Sequence, residues 1–314
     1  MTPTKAEGQP VRHPRRRVSG VLLLDKPTGI SSNHALQAVK RLFRAEKAGH
    51  AGTLDPLASG LLPILLGDAT RFSGYLLDAP KCYEAKIQLG ATTTTGDAEG
   101  EILERKPVNI SGGQLDAALR GFLGRQTQIP PMYSALKREG TPLYVLARRG
   151  ETVERAPRAI DIASLDLLSF EAPRLSVRVA CSKGTYIRTL AEDIGGVLGC
   201  GAHLYGLRRT ATGSFQIDDA VSLDRLDALT EIERDGQLRP PDAIVSQFPA
   251  VQLDEPTEIR FCQGQSVALP DAPGTVCRVY GHGGRFLGLG ERSEAGRLAP
   301  KRLLGEGRDD LPTS

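Results

Sequence analysis

The first group in this sequence that could do chemistry is a carboxylate in a glycine-framed loop. The stretch from Gly49 to Gly60 reads GHAGTLDPLASG and places Asp55 directly before Pro56. A residue before proline is pushed away from the helical region and toward extended backbone. An Asp-Pro pair is also the signature of a helix N-cap followed by its first helical residue. Glycines at 49, 52 and 60 allow backbone to come close to a ligand, and His50 offers a flat ring on the same loop. The basic residues Lys40, Arg41, Arg44 and Lys47 lead into it.

A second constellation, CSKGTYIRTL, runs from Cys181 to Leu190. A strand is expected to stop at Lys183–Gly184, with Thr185 capping a helix and Arg188 in its first turn. The helix macrodipole is positive at that end, so an arginine there calls for an anionic partner, either a carboxylate or a phosphate. The plain alternative is a surface arginine screened by water. Tyr186 reads as a core residue or a stacking ring. Tyr83, taken without further context, reads as a core tyrosine on a half-buried strand.

Several reaction classes are excluded by what is missing. The chain has 35 glycines, yet neither G-x-x-x-x-G-K-[ST] nor G-x-G-x-x-G occurs, which argues against a nucleotide-dependent enzyme. Five cysteines without a C-x-x-C pair, and five histidines without H-E-x-x-H spacing, indicate neither a disulfide framework nor a metal site. No apolar run reaches the roughly 18 residues of a membrane helix, and the basic N-terminus lacks an apolar core for secretion. A soluble, cytoplasmic protein is expected.

Net charge is only +3, but it is unevenly spread. Residues 1–17 carry a balance of +4, residues 137–158 and 281–305 each +3, and residues 222–258 a balance of −6. Basic segments separated by an acidic one suit a protein that lays selected faces on a polyanion; solvated surface is the alternative.

The elements that must position these groups follow from periodicity. GVLLLD at Gly20–Asp25 reads as a buried strand. Ser31 or Ser32 then caps a helix whose apolar face is Leu36, Val39, Leu42 and Phe43. Residues 81–90 alternate as a half-buried strand, and Leu115 to Leu123 is helical. Residues 124–151, with Pro130, Pro131, Pro142 and five basic residues, read as an extended insertion outside the core. Two strands are expected over 158–182. A helix follows with Ile187, Leu190, Ala191, Ile194, Val197 and Leu198 on one face. Residues 203–217 are extended, and 222–229 helical. Beyond the acidic stretch through Pro240–Pro241, residues 250–305 show short β runs, as in a small barrel. Irregular mixing of strands and helices indicates an α+β fold.

The sequence resembles the TruB type of tRNA pseudouridine synthase. The resemblance is carried by the Gly49–Gly60 loop, DKPTGISS at Asp25–Ser32, QIPPMYSALK at Gln128–Lys137, CSKGTYIR at Cys181–Arg188 and AHLYGLRR at Ala202–Arg209. It covers residues 19–215. The segment RVYGHGGRFLGLGE resembles, more weakly, the PUA-type RNA-binding module that ends such enzymes.

The resemblance implies a mixed, largely antiparallel central sheet flanked by helices and loops, with a PUA-type β-barrel-like domain. The implied layout is a disordered leader at 1–18, a catalytic domain at 19–240 with an RNA-clasping thumb at 124–151, the PUA-like domain at 250–305 and a tail at 306–314. It implies isomerisation of a uridine in the T loop of tRNA, without cofactor or metal. No obligatory protein partner and a monomer are further expectations.

In that scheme Asp55 is the catalytic aspartate and Arg188 the arginine that keeps it charged. Tyr83 stacks on the target uracil and exchanges a proton with it. Tyr186 and Leu207 line the base pocket, while Lys26 and Pro27 support the loop from behind. His50 fills the space left by flipped nucleotides, whose extrusion costs a few kcal/mol. A tRNA-folding chaperone and a guided synthase inside a protein–RNA complex are the rival readings.

Overall fold

Nine residues, Ala58–Leu66, form an almost wholly buried strand, ASGLLPILL, at the centre of the molecule. Such continuous apolar runs mark strands covered on both faces. The computed structural model describes residues 14–269 and 272–305. Most of the expected leader and the expected tail lie outside the described residues. At residue 16 the chain is already ordered against the domain, since Arg16 bridges to Ala45 and ion-pairs with Asp235.

The central sheet has ten strands. They are β1 (Gly20–Lys26), β2 (Ala48–His50), β3 (Ala58–Leu66), β4 (Lys81–Leu89), β5 (Gly124–Gln128), β6 (Arg158–Glu171), β7 (Arg174–Cys181), β8 (Ala202–Thr212), β9 (Phe215–Gln216) and β10 (Val221–Ser222). Their order is β10-β1-β3-β8-β4-β7-β6-β5, with β2 on β3 and β9 on β8. Only β1 with β10 and β3 with β8 run parallel. This is the mixed, largely antiparallel sheet that the resemblance implied.

β5 corrects one expectation. Residues 124–128, read as part of the basic insertion, are an edge strand paired with residues 158–162 of β6. Their polar, glycine-led sequence is that of an edge, exposed except at half-buried Gln126 and buried Gln128. The insertion proper therefore leaves the sheet after Gln128 and returns at Arg158, the residue opposite it in the ladder. It contains a short hairpin, Lys137–Arg138 with Thr141–Pro142, and a helix, Leu143–Arg148.

Several helices brace the sheet, three of them of ten residues or more among the described residues. Helix α1 (Ser32–Leu42) is capped by Ser31, whose hydroxyl accepts from the His34 amide at 3.1 Å. It packs Ala35, Leu36 and Val39, with Phe43, against Leu22, Leu24, Leu62 and Ile64. Helix α2 (Gly112–Gly121) starts with a Ser111–Gln114 capping box. Helix α3 (Ile187–Val197) buries Ile187, Leu190, Ala191 and Ile194 against β4, β7 and β8. Val197, expected on that face, is 66% exposed. At 100° per residue it lies only about 20° from buried Leu190, so its exposure follows from its place as the last residue of the helix.

The C-terminal part holds a five-stranded sheet. In it β11 (Ala250–Gln252) runs parallel to β13 (Val276–Tyr280). Strands β14 (Phe286–Arg292), β15 (Arg297–Leu303) and β12 (Val267–Ala268) complete the order β11-β13-β14-β15-β12. Leu289 is buried in one cluster with Val21, Leu61 and Phe72, and Phe72 meets Phe286 at 5.7 Å, so a shared apolar joint fixes this sheet to the central one. Among the described residues no helix is long and apolar enough to cross a membrane.

Candidate active site

The loop carrying Asp55 is held by its neighbours on every side. Ser32, the second of the two expected caps, ties the loop down instead, since its Oγ accepts from the Leu54 amide at 2.7 Å and donates to the Leu54 carbonyl at 2.9 Å. From beneath, fully buried Arg209 on β8 donates to the carbonyls of Leu61 at 2.7 Å and Gly52 at 3.2 Å. Gly60 has φ +102°, and a Cβ there would lie 2.3 Å from the Arg209 carbonyl. Only glycine lets β3 and β8 approach so closely. The Asp-Pro pair caps no helix, because Pro56 and Leu57 turn straight into β3. That leaves the Asp55 carboxylate free, with its side chain 44% exposed.

Arg188, the second residue of α3, finds the anion that its position demands. Its side chain is 7% exposed, and one terminal nitrogen lies 3.0 Å from Asp55 Oδ2. The same nitrogen donates to the Tyr133 carbonyl at 2.6 Å, and the other to the Thr95 carbonyl at 3.2 Å. Its Nε lies 3.6 Å from Asp97 Oδ2, on a side chain only 5% exposed. Thr185 does not cap α3. Tyr186 occupies the N-cap without a side-chain bond, and the Thr185 hydroxyl donates back to the Ser182 carbonyl at 3.0 Å.

Asp97 escaped sequence reasoning. It lies in TTTTGDAEG, which reads as an ordinary turn. Its Oδ1 accepts from Thr95 Oγ1 at 2.5 Å and from the Glu99 amide at 3.1 Å. Gly96, with φ +72°, makes the turn possible. Acidic groups gather around this one arginine. Burial, then the charges of Asp97 and Asp55, push the Glu99 carboxyl above its usual range. Burial, then Asp193, does the same to Glu192, one helical turn beyond Arg188.

The charge of Asp55 reaches Lys26, Tyr83, Glu99 and Tyr186. Lys26 is fully buried and donates to the carbonyls of Pro27 at 2.8 Å and Ile30 at 2.7 Å. Burial lowers its amine to about 8, with Asp55 pulling the other way. Gly29 donates to the Pro56 carbonyl at 2.8 Å, which ties the Lys26–Pro27 turn to the loop.

Tyr83 and Leu207 sit between the two largest apolar clusters and form a wall. Burial raises the Tyr83 phenol, against the opposing charge of Arg209. Burial also raises the Tyr186 phenol. His50 stands apart: it pairs with Ile64 on β3 and responds to Arg209, not to Asp55. Burial lowers its imidazole, which keeps the ring neutral at pH 7, and Nδ1 is buried without a hydrogen-bond partner. Gln128 and Arg209, which the sequence showed only as ends of motifs and without a role, complete the frame. The result is one half-open carboxylate braced by a buried guanidinium and flanked by aromatic and aliphatic walls. Such a site suits nucleophilic or proton-transfer chemistry on a flat, weakly polar group.

Comparison with known proteins agrees along the chain. A model described as TruB family pseudouridylate synthase (N-terminal domain) matches residues 40–187. Models for the tRNA pseudouridylate synthase B C-terminal domain and for pseudouridine synthase II TruB, C-terminal, match residues 188–246 and 249–304. The chain is 56% identical over 306 residues to tRNA pseudouridine synthase B of Cupriavidus metallidurans, covering 94% of this chain and 97% of that one. It is 55% identical over 300 residues to tRNA pseudouridine synthase B of Stutzerimonas stutzeri, covering 94% and 98%. Among solved structures, a crystal structure of a Cbf5-Nop10-Gar1 complex superposes with TM-score 0.69 and 26% identity, over 91% of this chain and 84% of that one.

Proposed function

The chain belongs to the TruB family of pseudouridine synthases, and from that premise we propose that it isomerises a uridine in the T loop of tRNA with Asp55 as the catalytic carboxylate. The observation that carries the proposal is the Asp55–Arg188 contact of 3.0 Å on an aspartate still 44% exposed. The carboxylate is oriented, yet open to a substrate.

The reaction breaks the N1–C1′ glycosidic bond, turns the uracil and joins C5 to the same sugar carbon. A proton leaves C5 and one is gained at N1, so nothing is oxidised and nothing external is consumed. One oriented carboxylate in a shaped pocket suffices for such an isomerisation, with no cofactor and no metal. Arg188 pairs with Asp55 and aims it. Tyr83 and Leu207 offer a face for the everted base, and stacking on a ring recovers about 1–3 kcal/mol, comparable with the cost of flipping. His50, neutral and flat, takes the space vacated in the T loop. The basic insertion after Gln128 grips the RNA backbone, an attraction that weakens with salt. The enzyme acts in the cytoplasm as a monomer without obligatory partners.

The test is to incubate the purified chain with unmodified tRNA, with no additives, and to map pseudouridine along it. One modified T-loop site is expected. No product, or product elsewhere in the tRNA, overturns the proposal. Product formed by the pure chain would also exclude an obligatory guide RNA.

A further inference from the structure

Gln128 is a buried amide at the foot of the insertion, 4% exposed, and it faces the backbone of the catalytic segment. Its Nε2 donates to the Tyr186 carbonyl at 3.0 Å, and its Oε1 accepts from the Tyr186 amide at 2.8 Å. The side chain thus copies the two bonds of a strand partner. Tyr186 is the N-cap of α3, two residues before Arg188. The next residues of the insertion reach the same place, since the Tyr133 carbonyl accepts from Arg188 at 2.6 Å. Gln128 itself is fixed by the ladder to Arg158, the residue on which the insertion returns.

We infer that Gln128 is a positioning residue. It ties the root of the RNA-gripping insertion to the start of α3, and so sets the aim of Arg188 at Asp55. This rests on the proposed role of Asp55 and Arg188. The amide is suited to this role because it presents one donor and one acceptor in a fixed plane, and both are used. No single aliphatic side chain supplies both, and a carboxylate supplies only the acceptor. When the insertion closes on RNA, the pull is delivered to Tyr186 and Arg188 through this amide rather than lost in a loop.

The experiment uses the full chain, with Gln128→Leu and Gln128→Glu beside wild type and Asp55→Asn. Single-turnover rates at saturating unmodified tRNA, tRNA affinity and melting temperature are measured. Gln128→Leu is expected to bind tRNA within about twofold of wild type and to lose about 10- to 100-fold in rate, as small misplacements do. Gln128→Glu is expected to recover relative to wild type as pH falls, because a protonated carboxyl offers the same donor and acceptor as the amide. A merely structural role would lower melting temperature and leave the rate of folded enzyme unchanged. The inference is overturned by a wild-type rate in Gln128→Leu, or by a Gln128→Glu deficit that is flat with pH. Turnover by wild type beside an inactive Asp55→Asn establishes the reading beneath it separately, so the two failures are distinguishable.

Discussion

Asp97→Asn removes one charge from the centre of the site and almost nothing else. Asn keeps an oxygen to accept from Thr95 Oγ1 and the Glu99 amide, which now bind Asp97 at 2.5 and 3.1 Å. What is lost is the carboxylate 3.6 Å from Arg188 Nε, between side chains only 7% and 5% exposed. Breaking a buried ion pair by deleting one partner costs about 3–5 kcal/mol. Here Arg188 retains Asp55 at 3.0 Å and two carbonyls, so a loss of roughly 2–3 kcal/mol is expected. For a chain of this size that lowers the melting temperature by roughly 3–5 °C. Freed on one side, the guanidinium turns toward Asp55 and drags it off line, at a cost of about 100-fold in rate for a shift near 1 Å. Rapid-quench single turnover on labelled tRNA reads the rate, and filter binding confirms unchanged affinity. A rate within about threefold of wild type would refute the claim that Arg188 is held between two carboxylates for catalysis.

Other expectations rest on separate groups. Tyr83→Phe keeps the stacking ring and removes the phenol; tRNA affinity should hold while single-turnover rate falls by about 100-fold or more. Because burial raises the Tyr83 phenol above its usual 10.0, the wild-type rate should show no alkaline limb from it up to that pH, and a wild-type rate in Tyr83→Phe would refute its proton-exchange role. Lys81 is buried, donates to the carbonyls of Leu76, Leu77 and Ala79, and is lowered to about 8 from 10.5, chiefly by burial. Between those two values the unfolded chain holds a proton that the folded chain has released, so stability climbs with pH by up to about 3 kcal/mol. Urea melts from pH 8 to 10 should show this climb in wild type relative to Lys81→Met; parallel curves would contradict it.

Much of the frame was legible because it depends on local pattern. The apolar run in β1, the alternation of β4 and the α1 stripe each announce their element in a few residues. Asp55 and Arg188 were singled out for different reasons, one from its glycine-framed loop and the other from a cation where the macrodipole disfavours it, but each had a plain alternative, and only the resemblance paired them. Asp97, Gln128 and Arg209 were not, since their roles arise only when distant strands meet. Asp97 lies far from Arg188 along the chain and looks like turn chemistry. Gln128 sits in a proline-rich stretch whose composition hid an edge strand, because edge strands lack the apolar run that marks central ones. Thr185 misled because Thr is a common N-cap, and here its hydroxyl turns back to Ser182 instead.

The most direct test compares pseudouridine formed per bound tRNA by wild type and by Asp55→Asn at equal occupancy. The substitution is nearly isosteric and keeps an acceptor toward Arg188, so folding and tRNA binding should survive. No pseudouridine from the variant is the expected result. Product at the wild-type rate would contradict the assignment of Asp55 as the group that does the chemistry.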